Sequence, residues 1–472
     1  MHIFRHRTRA IAISLGVFLL IVALVTIYIV QYPNNTINNK RASISIDYAT
    51  PTHKLDPIAI GMDISGYGYP YVFANDQNEQ QKIMALSIKY MRMDLKYSTP
   101  ADPTSTIVCA GKSCDTRWTG DQWVQAMKAT GVEPLIIVPD SPTDAANMVK
   151  HFNKDTDNHV QYWIIGNEPD QAGVAAPTYS HHFNDGYDAM KAIDSTIKIG
   201  GGTTAWYDRP FLQIFLQISG NRVDFVDFHT YAQQGNVPGD YTALFQAAAD
   251  YGKNINNLRS LIEKIVPARA SQIGIEVGEW ELNWGGSEQD NINFHAVWTA
   301  SALGHILSSG GWSLFYADKG NALYAYPNSI PDTNGDTVHV YVDDTNPAYH
   351  GMGMFTGEQL FRGFGDTIVQ AKTTLPNVEV YASDNPKNIV VINKDPSTTQ
   401  TATISLHGFG GQGQAAAPTE TGTGTVNVWR KDEALPFLDP PTELGNVALS
   451  NGTFTYQFPP FSITTFVLNI SS

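Results

Sequence analysis

The sequence predicts an α/β protein: a (β/α)8 TIM barrel with an accessory antiparallel β-sandwich, behind an N-terminal transmembrane helix. Three observations carry this reading. Between residues 58 and 362, short apolar runs alternate with helical segments eight times, the order of a closed parallel sheet. Beyond residue 362 the helical period stops, and short strands follow between Gly, Pro, Asn and Ser. Ahead of both, residues 10–30 form an uncharged apolar run.

That run, Ala10–Val30, is 21 residues long and follows Arg5, Arg7 and Arg9. It matches the length a helix needs to cross a bilayer. No Ala-x-Ala follows Val30, only Gln31-Tyr32-Pro33. An uncleaved signal anchor is therefore expected, with secretion after signal cleavage as the alternative. The arginines keep residues 1–9 in the cytoplasm and place everything after the helix outside the cell. The expected location is the cell membrane, single-pass, with an extracellular domain. Residues 31–42 are a polar, Asn-rich linker. Cys109 and Cys114 stand five apart in a Gly- and Ser-containing loop, a plausible small disulfide in an oxidising compartment. Two reduced thiols are the alternative. The net charge of −15 argues against a nucleic-acid partner bound through a broad basic surface.

Ser43–Asp47 alternates at period two and predicts a lone strand within residues 43–57 that joins the sandwich. The barrel strands follow: Ile58–Ile64, Tyr90–Leu95, Pro134–Val138, Tyr162–Gly166, Ile197–Gly201, Val223–Phe228, Ile273–Gly278 and Trp312–Tyr316. Helices fit between them, near Asn78–Ser87, after Thr119-Gly120-Asp121 with Asp121 as the cap, near Pro142–Phe152, over Leu244–Ile265 and over Asn293–Ser308. A doubly wound sheet is the alternative, but no Gly-rich dinucleotide fingerprint follows the first strand. After a helix near Tyr349–Phe361, sandwich strands are expected in 363–472, at Val378–Ala382, Ile389–Asn393, Thr401–Leu406, Val426–Arg430, Phe454–Phe458 and Ser462–Leu468. Asp332–Asp336 superficially resembles a calcium loop but lacks the distal bidentate Glu. No metal and no cofactor are expected.

Two strands run into acids. Trp163-Ile164-Ile165 rises to Gly166-Asn167-Glu168-Pro169-Asp170, where the Pro ends the ladder. Ile273-Gly274-Ile275-Glu276-Val277 rises to Gly278-Glu279-Trp280. Paired carboxylates at strand ends suit glycoside hydrolysis, in which one acid protonates the leaving oxygen and the other, ionised, attacks the anomeric carbon.

These motifs resemble those of the glycoside hydrolases of clan A, whose catalytic acids follow barrel strands four and seven. Trp-x-x-Gly-Asn-Glu-Pro-Asp is similar to the strand-four motif and Gly278-Glu279-Trp280 to that of strand seven. The likeness spans roughly residues 43–472 and is greatest to families 39, 51 and 79. It implies Glu168 as acid/base, Glu279 as nucleophile and Asn167 on the sugar 2-hydroxyl. It also implies that Arg92 lies near the nucleophile and that His229 and Tyr231 touch the carboxylates or the sugar. The expected activity is retaining cleavage of O-glycosidic bonds in oligo- or polysaccharides, with carbohydrate as the partner molecule. A carbohydrate-binding pseudoenzyme and a transglycosylase are the rivals. Trp206, Trp280, Trp284, Trp312 and Tyr316 lie near strand ends. Trp280 and Trp312 are expected to be the sugar-binding members. Alternation places Glu279 on one face with Ile275 and Val277, and Glu276 on the other, toward the helices.

Overall fold

The computed structural model describes residues 42–63, 77–96, 106–107, 109–110, 113–114, 119–139, 141–233, 239–284, 289, 292–316, 324–325, 330–331, 337–338, 341–342, 346–408, 424–436 and 439–469. The apolar run at 10–30, most of the linker, the Asp332–Asp336 turn and most of the Gly-rich loop at 409–423 lie outside them. Among the described residues, no helix is long and apolar enough to cross a membrane.

The first described strand is β1 (Ser43–Lys54). Eight parallel strands follow: β2 (Ile60–Asp63), β3 (Tyr90–Lys96), β4 (Glu133–Val138), β5 (Tyr162–Ile165), β6 (Lys198–Thr204), β7 (Phe225–Gln233), β8 (Gly274–Asn283) and β9 (Trp312–Tyr316). They pair in chain order, and β2 pairs with both β9 and β3, which closes the barrel. The helices between them are α1 (Gln77–Ala85), α2 (Gly120–Ala129), α3 (Pro142–Lys150), α4 (Ala176–Ile193), α5 (Arg209–Ser219), α6 (Tyr241–Ile265) and α7 (Asn293–Ser308), with α8 (Pro347–Thr356) after β9.

Each barrel strand expected from the sequence is present. The cap of α2 differs. Thr119 closes a capping box with Gln122, while Asp121 accepts from His151 Nε2 at 2.8 Å and Asn158 Nδ2 at 2.9 Å. A Thr hydroxyl at the N-cap reaches the N3 amide, which leaves the first-turn acid available for a side-chain partner. α8 stops at Gly357, whose φ of 91° reverses the chain, several residues before the expected end at Phe361.

The second domain contains β10 (Thr367–Thr373), β11 (Val378–Asp384), β12 (Asn388–Asn393), β13 (Gln400–His407), β14 (Gly424–Lys431), β15 (Thr442–Leu449), β16 (Thr453–Phe458) and β17 (Ser462–Asn469). Among the described residues these join β1 in one sheet of nine strands, in the order β15-β14-β17-β12-β11-β10-β1-β13-β16. A tight turn joins the two edge strands, Ser450 and Thr453 exchanging backbone hydrogen bonds of 3.0 and 2.9 Å. The sheet therefore rolls over a single core containing Ile44, Ile404, Val428, Phe454 and Phe466. β1 joins it as expected, but runs parallel to β13, so the domain is not wholly antiparallel. β10 and β15 were not expected. β15 is an edge strand exposed along most of its length, which leaves little alternation to read.

α7 carries no Asp, Glu, Lys or Arg and is buried on nearly every face, because the rolled sheet covers the side turned away from the barrel. Asn293 Nδ2 donates to Phe461 O at 2.9 Å, and Thr465 Oγ1 to Met354 O at 2.7 Å. These contacts fix the second domain against α7 and α8. The two-residue strands Cys109–Ala110 and Ser113–Cys114 pair antiparallel, with Cys109 opposite Cys114. Opposed residues in such ladders have Cα atoms about 4.5–5.5 Å apart, within the reach of a disulfide.

Candidate active site

Glu168 stands just beyond the C-terminal end of β5. Gly166 and Glu168 both adopt left-handed backbone, with φ of 83° and 47°. For a glutamate this conformation is costly and persists only where neighbours impose it. The neighbour is β6. One extra residue on β6 lies between its pairings with Val226 and Phe228, a bulge around Gly202-Thr203, and Thr203 O accepts the Glu168 N–H at 2.9 Å. Asp170 accepts the Ala205 N–H at 3.0 Å, which ties the Asn-Glu-Pro-Asp loop to the end of β6. Asn167 is exposed beside Glu168.

Glu279 reaches the barrel interior through another bulge. Val277 pairs with Phe228 and Ser313, whereas Trp280 pairs with Thr230 and Phe315. Three steps on β8 match two on each neighbour. The extra residue breaks the strict alternation, so the expectation that Glu279 shares a face with Ile275 and Val277 is incorrect. Those two pack in the core between barrel and helices, and Glu279 turns inward. Gly278 permits this, because a Cβ there would lie 1.7 Å from Asp227 Oδ1.

Tyr231 Oη donates to Glu279 Oε2 at 2.7 Å. Arg92 Nη2 donates to Glu279 Oε1, and also to Asp63 Oδ2 at 2.5 Å. His229 Nδ1 lies 3.0 Å from Glu168 Oε1 and 3.5 Å from Glu279 Oε2. Burial alone would raise the Glu279 carboxyl. The charges of His229 and Arg92, with hydrogen bonds from Tyr231 and Arg92, outweigh it and hold the carboxyl below the ordinary glutamate value. Burial, and then Glu279, push the Tyr231 hydroxyl well above its usual range, so it remains a donor. Burial disfavours a charged His229, but Glu279, Asp227 and Glu168 overcome that and raise it to about 10.

Glu168, His229 and Glu279 each bring one polar atom within 4.8 Å of the other two. One oxygen of Glu168 therefore lies close to one of Glu279. A cation could also bridge such atoms. A ring nitrogen must first lose its proton to ligate, and the surrounding carboxylates favour keeping it.

The structure thus brings together Glu168, Glu279, Arg92, His229 and Tyr231, with Asn167 alongside. It does not bring in Trp280 or Trp312. Trp280 is fully buried outside the barrel, against Tyr251, Trp298 and Phe315, and its Nε1 donates to Ser313 Oγ at 2.9 Å. It follows the bulge and so points to the helix layer. Trp312 starts β9 and stacks near Phe225 and Tyr162 at the opposite end of the barrel. There it lines a cavity of about 330 Å³ with Lys198 and Gly274, the first residues of β6 and β8. Trp206 and Trp284 instead follow the C-terminal ends of β6 and β8 and are 51% and 57% exposed. Sequence reasoning missed Asp63, the second partner of Arg92. Its position at the C-terminal end of β2, one strand from Arg92, was the available signal.

These features define a class: a (β/α)8 barrel with a facing carboxylate pair beyond its fourth strand and within its seventh, joined to a rolled β domain. Solved structures share the fold. An α-L-arabinofuranosidase from Thermotoga maritima, in complex with arabinose, superimposes with a TM-score of 0.70 at 14% identity, covering 90% of this chain and 100% of that one. A bifunctional glucanase-xylanase from a metagenome library gives 0.66 at 16%, covering 91% and 99%. A Paenibacillus polymyxa xyloglucanase of glycoside hydrolase family 44 gives 0.66 at 14%, covering 90% and 99%. At such identity the likeness is one of fold. No protein-family model matches the chain, and no curated protein matches it by sequence.

Proposed function

We propose that this chain is a retaining glycoside hydrolase, anchored in the cell membrane by residues 10–30 with its barrel outside the cell and a Cys109–Cys114 disulfide. The observation that carries the reading is the carboxylate pair. Glu168 and Glu279 each bring an oxygen within 4.8 Å of the other, the close approach that favours a retaining pair, whose carboxyl groups lie about 5–5.5 Å apart. Their surroundings divide the roles. Glu279, held ionised by Arg92, His229 and Tyr231, attacks the anomeric carbon. Glu168 accepts at Oε1 from His229, which leaves Oε2 to carry the proton for the leaving oxygen. Water activated by Glu168 then releases the sugar.

The similar structures are named as an arabinofuranosidase, a glucanase-xylanase and a xyloglucanase, so aryl arabinofuranosides, xylosides and glucosides form the assay panel. NMR of the first product released is expected to show the anomeric configuration of the substrate. An inverted product would reject the double displacement. Oligosaccharide binding without turnover of any glycoside would favour a pseudoenzyme.

Trp206 and Trp284 follow the strand ends at the same mouth of the barrel as the carboxylate pair and are exposed, so sugar C–H faces can pack on their rings. Trp206→Ala and Trp284→Ala are each expected to raise KM for oligosaccharides about 10-fold or more, the effect of losing roughly 1.5–3 kcal/mol of aromatic burial. Hydrolysis of an aryl monoglycoside should change much less. Equal losses on both substrates would remove these residues from the outer binding positions.

A further inference from the structure

Beneath the reacting pair lies a second pair of acids that the proposed chemistry does not use. Asp227 on β7 and Glu276 on β8 are register neighbours on adjoining strands, so their side chains share a face of the sheet. The clash of a Cβ at Gly278 with Asp227 and the proximity of Glu276 to Arg92 and Tyr90 identify that face as the barrel interior. This corrects the expectation that Glu276 points toward the helices. Both acids are fully buried, and no oxygen of either makes a hydrogen bond of normal geometry. Above them, His229 turns Nε2 toward Asp227 Oδ2 at 3.6 Å and Nδ1 toward Glu168 and Glu279.

Two adjacent carboxylates out of water cannot both carry charge. Burial first, and then Asp227, raise the Glu276 carboxyl well above the ordinary glutamate value, against the pull of Arg92, Tyr90 and His229. The groups facing this layer are Asp63 on β2, Tyr90 and Arg92 on β3, Glu168 after β5, His229 and Tyr231 on β7 and Glu279 on β8. Asp63, Asp227 and Glu279 then confront the single guanidinium of Arg92, and a protonated imidazole brings the layer closer to neutrality. Arg92 Nη1 lies 3.2 Å from His229 Nε2, and since a guanidinium only donates, protonating Nε2 exchanges that hydrogen bond for an N–H directed at Asp227 Oδ2 and sets two like charges together. One like charge is outweighed by the carboxylates on both sides of the ring.

We propose that Asp227 and Glu276 form a one-proton pair, Glu276 the neutral acid and Asp227 the anion, which holds His229 as an imidazolium with its Nδ1–H between Glu168 and Glu279. Both are positioning residues, since they act through His229 and touch no reacting atom. The arrangement has a use in double displacement. As the glycosyl-enzyme forms, the C–O bond to Glu279 is made and that carboxylate loses its charge, while Glu168 gives its proton to the leaving oxygen and gains one. A single N–H within reach of both oxygens follows the charge in one direction, and back again when water enters.

The test is 15N NMR of histidine-labelled full-length protein, with the His229 signals assigned by their loss in His229→Asn. Both ring nitrogens are expected to stay protonated through about pH 8, far above the roughly 6.5 of an unperturbed histidine. Asp227→Asn should move the titration midpoint down by about one unit or more, a tenfold fall in proton affinity. Glu276→Gln, neutral like the acid it replaces, should not lower it and should remove the infrared C=O band of a buried carboxylic acid. A neutral His229 at pH 7 in the unaltered protein would overturn the proposal, as would a midpoint unmoved by Asp227→Asn or a difference spectrum in which Glu276→Gln removes no carboxylic-acid band. If Asp227→Asn does not fold, the ring and band of the unaltered protein, with Glu276→Gln, still decide. The catalytic consequence rests on Glu168 and Glu279 being the reacting pair, but the titration needs no substrate. An inactive protein and a neutral His229 are therefore separate results.

Discussion

Glu279→Gln is expected to lower turnover on the order of 10⁴-fold or more, because an amide cannot form the covalent intermediate and the residual rate comes from binding and electrostatics alone. The groups gathered around Glu279 favour its anion. Arg92, His229 and Tyr231 all point at its two oxygens, and a neutral amide would leave Arg92 its bond to Asp63. Glu168→Gln should behave differently. It removes proton donation, worth about 10²–10⁴-fold, but an aryl leaving group of low pKa needs no proton to depart. With such a substrate the Glu168→Gln protein should release the aryl group in a burst and then stall, whereas Glu279→Gln should show no burst. Stopped-flow absorbance separates the two. Full turnover in Glu279→Gln would reject it as the nucleophile, and Glu281 would be the next acid to test. Glu281 is engaged by His295 Nε2 at 2.5 Å.

The second large effect concerns stability. Glu379 on β11 joins the rolled sheet to the barrel. Its Oε1 accepts from Lys394 Nζ at 2.6 Å and lies 3.1 Å from His305 Nε2, while its Oε2 accepts from Ser301 Oγ at 2.7 Å and Tyr381 Oη at 3.0 Å. Ser301 and His305 belong to α7. Burial disfavours the charge, but His305 and Lys394 outweigh it and hold the carboxyl at about 2. Glu379→Ala leaves the lysine and three other polar groups without their acceptor, and is expected to cost about 3–5 kcal/mol. The pH dependence follows from the depressed value. Relative to an unfolded glutamate near 4.5, the contribution is complete above about pH 4.5 and fades as pH falls toward 2. At about 1.4 kcal/mol per unit it amounts to roughly 3 kcal/mol. Urea unfolding at acid and neutral pH measures this. The difference between the unaltered protein and Glu379→Gln should shrink as pH falls. A constant difference would show that the carboxylate charge does not hold the domains together.

Much of the fold was legible because each element announces itself locally. Leu135, Ile136 and Val138 in one apolar run and Trp163–Ile165 in the next are buried on both faces of the sheet, as parallel strands must be, and the amphipathic helices between them fix the βα order. The two strand-end acids were legible for a related reason. Pro169 stops a strand beside Glu168, and Gly278 marks a close approach beside Glu279. β15 was not legible because an exposed edge leaves no hydrophobic alternation. The two tryptophans chosen as sugar platforms failed because distance from a strand end says nothing about which end, or which face, the ring occupies. Trp312 opens its strand at the far mouth of the barrel, and Trp280 sits one residue past a bulge that turns it to the helices.

Residue order and side-chain chemistry therefore set the alternation of strands and helices, the closing of the barrel and the placing of Glu168 and Glu279 at strand ends, since each depends on periodicity or on a motif a few residues long. The inward turn of Glu279 and Glu276, the left-handed backbone of Glu168, the stacking of five carboxyl groups around Arg92 and His229, and the clasp at Glu379 arise only when strands distant in sequence lie side by side. A bulge is a mismatch between two strands, and a shifted titration is the field of neighbours. Neither is a property of a single segment.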